Sequence, residues 1–408
     1  MRGKRLHGTL VAAQIALTLL LLTAAGAAID GFVRLLRVPL GYDPHNVIAV
    51  GIPLQENAYT TWQARVNYFE QLHASIAALP DVTSTAISTN GAPPYSGWEQ
   101  RFDLLGKPAV SPEAQTARTA FVGPGYFTTL HVSLIQGRIW DAAEVSRGAL
   151  LVLVNQSFVR RYYPDGGLIG HSLKLSKLFN KPPETFIAPG ADEWLQVIGV
   201  VGDALNDGIE KPVEPEIFAP YSLQMWTGTS ILIRSRVAPD TILHSVRRQL
   251  AAINPEQLTS GRADEDLEAW LKRQPVWARG RLISMLFAGF SMLALVLSAV
   301  GLYSVASYSV VQRTNEFGIR IALGAGRSHV FRIVMASTAV NVGLGVAVGL
   351  ALSIGLNRFI SGWVGNSANH PLIVTRVSFL LLAVAAMACL VPAHRALSVN
   401  PMTALRRE

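Results

Sequence analysis

Cysteine occurs once in the 408 residues, at Cys389, so no disulfide within the chain can staple its fold. Charge is scarce too. Only 15% of residues are Asp, Glu, Lys or Arg, against 50% hydrophobic residues and a mean hydropathy of +0.31. That composition excludes a disordered chain and lies on the apolar side for a soluble one. No G-x-x-x-x-G-K-[ST] phosphate loop is present. Gly166-Gly-Leu-Ile-Gly170 is a glycine-rich turn with no Lys to reach a phosphate. The nine histidines form no H-E-x-x-H or Cys/His cluster, and there is no Gly-x-Ser-x-Gly elbow. These absences leave an enzyme reading without catalytic residues, metal ligands or a cofactor motif. The net charge of +8 comes without any RNP-type or helix-turn-helix signature, and much of it flanks apolar runs. Nucleic acid is therefore not an expected partner.

What is present is a set of long uncharged stretches. Leu282 to Val311 and Ile333 to Leu356 carry no charged residue, and each exceeds the roughly 20 residues needed to span about 30 Å of hydrocarbon. Between them lies an island, Gln312 to Arg332, with Arg313, Arg320, Arg327 and Arg332 against Glu316. Short loops rich in Lys and Arg stay on the cytoplasmic face. A first span is expected at residues 9–29, following the basic start Arg2-Gly-Lys-Arg5. A cleaved signal peptide shares that pattern, but its apolar core is usually about 7–15 residues, so the longer run favours an uncleaved helix. A last span is expected at residues 377–395, its apolar part ending near Pro392 and a basic tail, 396–408, following. Four helices with both termini cytoplasmic satisfy every short segment. Cys389 inside the last span reads as packing material.

Residues 38–281 contain no span and are long enough for one or two cored domains. Two strand–helix–strand patterns bracket this region. The first runs Asn46–Leu54, Thr60–Leu79 (apolar at Val66, Phe69, Leu72, Ile76) and Val82–Ser88. The second runs Ser230–Val237, Pro239–Ile253 and a further extended piece. This echo suggests one split α+β domain whose halves meet in space. The insertion between them is turn-rich, with short β runs at Leu150–Val154 and Leu195–Gly202 and a short helix that Asn155 would cap. The expected fold class is thus an α+β membrane protein with four transmembrane helices and a large outside domain. Asp264-Glu-Asp266 reads as a solvated face rather than a cation site.

Arg313-Thr-Asn-Glu316-Phe-Gly318-Ile-Arg320-Ile-Ala-Leu323-Gly324-Ala325 resembles the R-x-x-E-I-G-I-R-x-A-L-G-A signature of FtsX-like permeases. The ending Pro392-Ala-His-Arg395-Ala, with Asn400-Pro401-Met-Thr-Ala404-Leu405-Arg406, is similar to their closing motif. Gly123-Pro-Gly125-Tyr126-Phe127, Gly137-Arg138 and Asn155 to Pro164 resemble the outside core of MacB-like permeases, nearest to the duplicated orphan permeases of acidobacterial type. Phe317 and His394 depart from the usual Ile and Arg. The resemblance implies a permease subunit of the mechanotransmission type in the inner membrane. Its periplasmic domain would have a porter-like part (40–88 and 226–275) and a mostly β, sabre-like part (89–225). Its implied partners are a separate nucleotide-binding ATPase, a second copy or second permease unit, and a periplasmic adaptor.

Within the island (312–332), Glu316 and Arg320 stand at i, i+4 on a short helix that Gly324 would end. Read physically, such a helix either anchors the loop among headgroups or docks a partner. The resemblance favours docking the ATPase through Glu316, Gly318, Arg320, Leu323, Gly324 and Ala325. In the third span Gly345, Gly349 and Ser353 put small residues on one face, which suits helix packing within the subunit or across a dimer. Two rival functions remain open. An ATPase-independent, membrane-tethered periplasmic scaffold or sensor fits an orphan permease. A channel or secondary transporter would need ionisable residues inside its spans, and the two runs flanking the island have none.

Overall fold

The computed structural model describes residues 2–55, 58–89, 91–95, 97–107, 115–176, 178–257, 259, 265–312, 332, 336, 339–340, 342–355 and 371–397. It divides into two compact units, one formed by Met1–Arg37 with Pro275–Glu408 and the other by Val38–Gln274.

The first unit opens with α1 (Arg2–Leu36). This helix runs past the expected end at residue 29, because Asp30 and Arg34 pair at i, i+4 at 2.6 Å and suit a helix leaving an apolar medium.

In the second unit the order is β1 (Val47–Pro53), α2 (Trp62–Ala77), β2 (Val82–Ser88), β3 (Trp98–Leu104), β4 (Thr116–Val122), α3 (Tyr126–Thr129), β5 (Leu134–Gly137) and α4 (Ala142–Ser146). There follow β6 (Leu151–Asn155), α5 (Gln156–Tyr162), β7 (Ser172–Leu175), β8 (Thr185–Ile187), β9 (Leu195–Val201), β10 (Glu216–Pro220), β11 (Gln224–Trp226), β12 (Gly228–Ser235), α6 (Pro239–Ile253), β13 (Glu265–Asp266) and α7 (Leu267–Arg273). The unit ends at Gln274 rather than 281, because Pro275 opens the next helix.

Back in the first unit, α8 (Pro275–Gln312) is longer than the apolar run it contains. Pro is well placed at a helix start, so the helix takes in Trp277 to Arg281 before the uncharged stretch begins. α9 is the shorter apolar segment Val342–Gly355, and α10 is Pro371–Leu397. Three described helices, α1, α8 and α10, contain runs long and apolar enough to cross a membrane. The expected third span is described only as α9.

Two cores organise the second unit. In the first, β12 lies between β1 and β2, antiparallel to both, with Val50 opposite Ile231 and Ile231 opposite Ile87. Ile231, Leu232 and Ile233 are all fully buried, the mark of a strand covered on both faces. Val66, Phe69, Leu72 and Ile76 of α2, together with Ile242, Val246 and Leu250 of α6, supply one covering layer. The second core lies inside a closed ring, in which β4 pairs with β3, β3 with β7, β7 with β9, β9 with β6, β6 with β10, and β10 with β4. Closure removes the exposed sheet edge. Inward side chains include Phe102, Phe121, Val152, Val154, Leu173, Val197 and Ile217. Leu153, Ala120 and Phe218 alternate with them and pack instead into the first core.

Asn155 ties this ring together. Its Oδ1 accepts from Phe158 N–H and from Glu216 N–H, both at 2.9 Å, and its Nδ2 donates to the Glu214 carbonyl at 2.8 Å. It therefore caps α5 and fixes the start of β10 at once. Replacing Asn155 by Ala leaves two buried N–H groups unpaired and should cost about 2–4 kcal/mol. Asn155→Ser keeps the cap and should lose less. Unfolding followed by tryptophan fluorescence checks this; equal stability of wild type and Asn155→Ala would remove the residue from that role.

Candidate functional site

Burial of apolar surface cannot hold helices together in lipid, which is itself apolar; close backbone approach and interhelical hydrogen bonds must do so. α1 and α8 meet along a seam of hydroxyls. Ser284 Oγ donates to the Ala28 carbonyl at 3.0 Å, and Ser291 Oγ to that of Leu21 at 2.9 Å. Ser298 Oγ shares a hydrogen bond with Thr18 Oγ1 at 2.6 Å, and Thr18 also donates to the Gln14 carbonyl. Numbers rise along α8 as they fall along α1, so the pair is antiparallel. The serines recur every seventh residue, the spacing that keeps one helix face on a neighbour.

α9 meets α1 through its glycines. A Cβ on Gly345 would lie 2.7 Å from Ile15 Cβ and 2.8 Å from the Ala12 carbonyl oxygen. One on Gly349 would lie 2.8 Å from Leu19 Cδ2 and 3.0 Å from the Ala16 carbonyl oxygen. Both glycines thus pack within the chain. Ser353 has a buried hydroxyl with no hydrogen-bond partner among the described residues. Val11, Ile15, Leu19, Leu302, Val342, Val377, Leu381 and Ala385 form the shared core of the four helices. The island positions Glu316, Gly318, Arg320, Leu323, Gly324 and Ala325 lie outside the described residues.

In the other unit two polar clusters stand out, and sequence reading missed both. Arg234 donates to the Asp43 carboxylate at 3.1 Å and to the carbonyls of Asp43, His45 and Thr129 at 2.8, 2.7 and 2.8 Å. Partial burial alone would push the Asp43 carboxyl up. The His45 N–H and ring and the Arg234 guanidinium more than offset this and hold it below its ordinary value. Glu216 lies deeper. Tyr95 donates its hydroxyl to Oε1, and Asn206 donates Nδ2 to Oε2 at 2.6 Å. Desolvation dominates here and pushes the carboxyl from 4.5 up to about 7, despite those two donors. A narrow cleft beside it is lined by Arg118, Asp207, Lys211 and Glu214. The available signals were the seven-residue serine spacing and, for Glu216, an acid beside an apolar run between Pro215 and Pro220.

A helical bundle of membrane-spanning character, joined to an α/β unit with a closed β ring, defines a membrane protein with an extramembrane domain. Residues 10–253 match the family model of the MacB-like periplasmic core domain, and residues 288–401 match that of the FtsX-like permease C-terminal region. The chain belongs to the family of MacB-like, FtsX-like permeases. Among curated proteins it is 25% identical to the macrolide export ATP-binding/permease protein MacB of Neisseria gonorrhoeae over 309 residues, covering 72% of this chain and 44% of that protein. The protein of the same description from Campylobacter jejuni is 25% identical over 307 residues, with the same coverage. The chain therefore spans less than half the length of these relatives. Among solved structures it is similar to the periplasmic region of MacB from Actinobacillus actinomycetemcomitans, with 13% identity, 58% of this chain and 95% of that one covered, and a TM-score of 0.36.

The seam yields a paired test. Gly345→Leu forces α9 away from α1, and overpacking of this kind costs about 1–3 kcal/mol. Gly343, two residues earlier, would meet nothing within 4 Å among the described residues, so Gly343→Leu should be tolerated. Thermal unfolding in detergent should show a lowered midpoint for the first variant alone. Identical midpoints would mean that α9 does not pack on α1 at Gly345.

Proposed function

We propose that this chain is the permease subunit of a MacB-like ABC transport system in the inner membrane, coupling a separate cytoplasmic ATPase to movement of the unit Val38–Gln274 on the outer side. The observation that carries the reading is the order of parts. A MacB-like core match is followed by an FtsX-like match that spans the arginine-rich island and the last two apolar stretches. The curated relatives are named as ATP-binding and permease proteins together, whereas the sequence here contains no phosphate loop. In this reading another polypeptide supplies the nucleotide site and docks on Glu316, Arg320 and the Leu323-Gly-Ala325 turn. A second copy or second permease unit completes the assembly, and a periplasmic adaptor is a further partner. The hydroxyl seam and the glycine contacts support the coupling role, because helices tied to α1 at several depths transmit displacement as a body.

Topology is the first point to test. Asn67 is exposed on α2, and the native Cys389 is buried. A membrane-impermeant maleimide added from outside should label Asn67→Cys and spare Ser328→Cys in the island. The reverse pattern ends the proposed orientation.

Docking is the second. An exposed i, i+4 pair on a helix is worth only about 0.2–0.5 kcal/mol, so replacing Glu316 and Arg320 by Ala should leave stability nearly unchanged. Truncating one side of a desolvated charge contact with a partner costs about 2–5 kcal/mol. Nucleotide-binding proteins should therefore co-purify from native membranes with wild type and be lost with the double variant. Equal recovery with both, or no ATPase with either, would favour an ATPase-independent scaffold or sensor.

A further inference from the structure

The inward face of the β ring is not wholly apolar. β3 alternates, with Glu99, Arg101 and Asp103 exposed and Gln100, Phe102 and Leu104 buried. Gln100 therefore shares the inward face with Phe102 of the second core. On β4 the buried Thr119 stands two residues from Ala117 and two from Phe121, both of that same core. The antiparallel register sets Trp98 opposite Thr119 and Gln100 opposite the small Ala117. Gln100 and Thr119 are thus diagonal neighbours on one face, within reach of a long side chain.

The hairpin of β8 and β11 comes to the same place. Gln224 and Trp226 share one face of β11, while Met225 between them packs into the first core. The Trp226 indole stacks on that of Trp98, with ring centroids 4.5 Å apart. Phe179, exposed, meets Trp226 edge-on at 6.4 Å, and its backbone N–H donates to Gln224 Oε1 at 3.0 Å. Arg65 fixes the hairpin independently of this stack, donating to the carbonyls of Pro183, Glu184 and Met225 at 2.7, 3.3 and 3.4 Å.

The residues around the stack have unmet hydrogen-bonding capacity. Gln100, Thr119 and Gln224 are 6%, 0% and 0% exposed. Gln100 Oε1 and Nε2, Thr119 Oγ1, Gln224 Nε2 and Trp226 Nε1 are buried, and these five atoms have no hydrogen-bond partner among the described residues. Buried polar atoms are ordinarily paired, and each one left unpaired opposes folding. A cluster of them beside two indoles needs a reason other than stability.

We propose that this is the binding site of a neutral, hydroxyl-rich ligand, a sugar ring, held between the inward face of β3 and β4 and the β8–β11 hairpin. The ligand is neutral because no charge faces it. Glu99, Arg101 and Asp103 lie on the outward face of β3, and Arg118 of β4 is engaged with Asp207 and Glu214. A charged group brought here would lose its water and gain no counter-charge. Hydroxyls fit the unmet atoms, since the Gln100 amide both donates and accepts, Thr119 can do either, and Gln224 Nε2 and Trp226 Nε1 donate. Indole faces suit the apolar C–H face of a sugar ring, and a few placed polar groups on aromatic walls are the usual make-up of a small-ligand site. Phe179, exposed at the rim, marks the side of entry. The site lies wholly within Val38–Gln274, so binding there depends neither on an ATPase nor on the transport reading.

The test uses the full chain in lipid nanodiscs, because glycoside detergents would themselves compete. D-glucose, D-galactose, D-mannose and N-acetyl-D-glucosamine are titrated by tryptophan fluorescence and calorimetry, with D-glucuronate as the charged comparison. At least one neutral sugar should bind saturably and change the tryptophan emission, and glucuronate should not. Gln100→Leu removes two of the unpaired atoms at little change in volume. Without ligand it should melt no lower than wild type, while its sugar affinity falls about tenfold. Trp226→Phe keeps an aromatic ring but lacks the N–H, and should weaken binding about threefold. Absence of binding by every neutral sugar, equal binding of glucuronate, or wild-type affinity in Gln100→Leu overturns the site. A ligand-free Gln100→Leu that melts well below wild type makes the amide a support of the fold and overturns it as well.

Discussion

Every described membrane helix leans on α1, and that dependence follows from the solvent. Lipid offers no reward for burying apolar side chains against one another, so a bundle coheres only where backbones come close or hydroxyls bond across the gap. α1 provides both kinds of contact. Toward α8 it presents the carbonyls of Ala28 and Leu21 and the Thr18 hydroxyl to three regularly spaced serines. Toward α9 it presents Ala12, Ile15, Ala16 and Leu19 to glycines whose missing side chains make room. Gly26 of α1 is approached in the same way by Ile373 of α10, where a Cβ would lie 2.6 Å from the Ile373 methyl. Interhelical hydrogen bonds in such a medium are worth only about 0.6–2 kcal/mol each. Their distribution along the helix therefore matters more than the strength of any one.

The other unit solves a different problem in water. Its two halves of split sheet would each expose an edge, and the insertion between them would expose another. β12 takes the place between β1 and β2, and the inserted strands close on themselves when β10 pairs with β4 as well as with β6. The side chains of β4, β6 and β10 alternate between the ring interior and the neighbouring core, so one set of strands serves both. Burying Asn155 and Glu216 at the start of β10 is the cost of that junction. Asn155 meets its obligations fully. Glu216 has a donor on each oxygen, Tyr95 and Asn206, and desolvation still raises its carboxyl above the ordinary value, where a loop and a strand meet.

Much of this was legible in the chain itself. The apolar period of α2 at Val66, Phe69, Leu72 and Ile76, the Pro239 start of α6 and the Asn155 cap of α5 are local signals, written in residues a few positions apart, and the corresponding elements occur at those places. The ring closure was not legible, because β4 and β10 are separated by nearly a hundred residues and neither carries a mark of its partner. The family-defining motifs of the island are likewise short-range patterns that can be read from sequence, and they lie outside the described residues. The serine seam was overlooked because an uncharged run invites reading only its length.

The sequence by itself determined the number and spacing of apolar stretches, where along the chain basic residues concentrate and the likeness to a permease family. These are properties of composition and short-range order, and they survive without coordinates. Tertiary structure alone decided which face of the third apolar stretch meets α1, that Ser284, Ser291 and Ser298 find partners on α1, and that Glu216 loses its water. Each of those depends on what lies across a gap of a few ångströms from residues distant in the chain, and no local pattern encodes that.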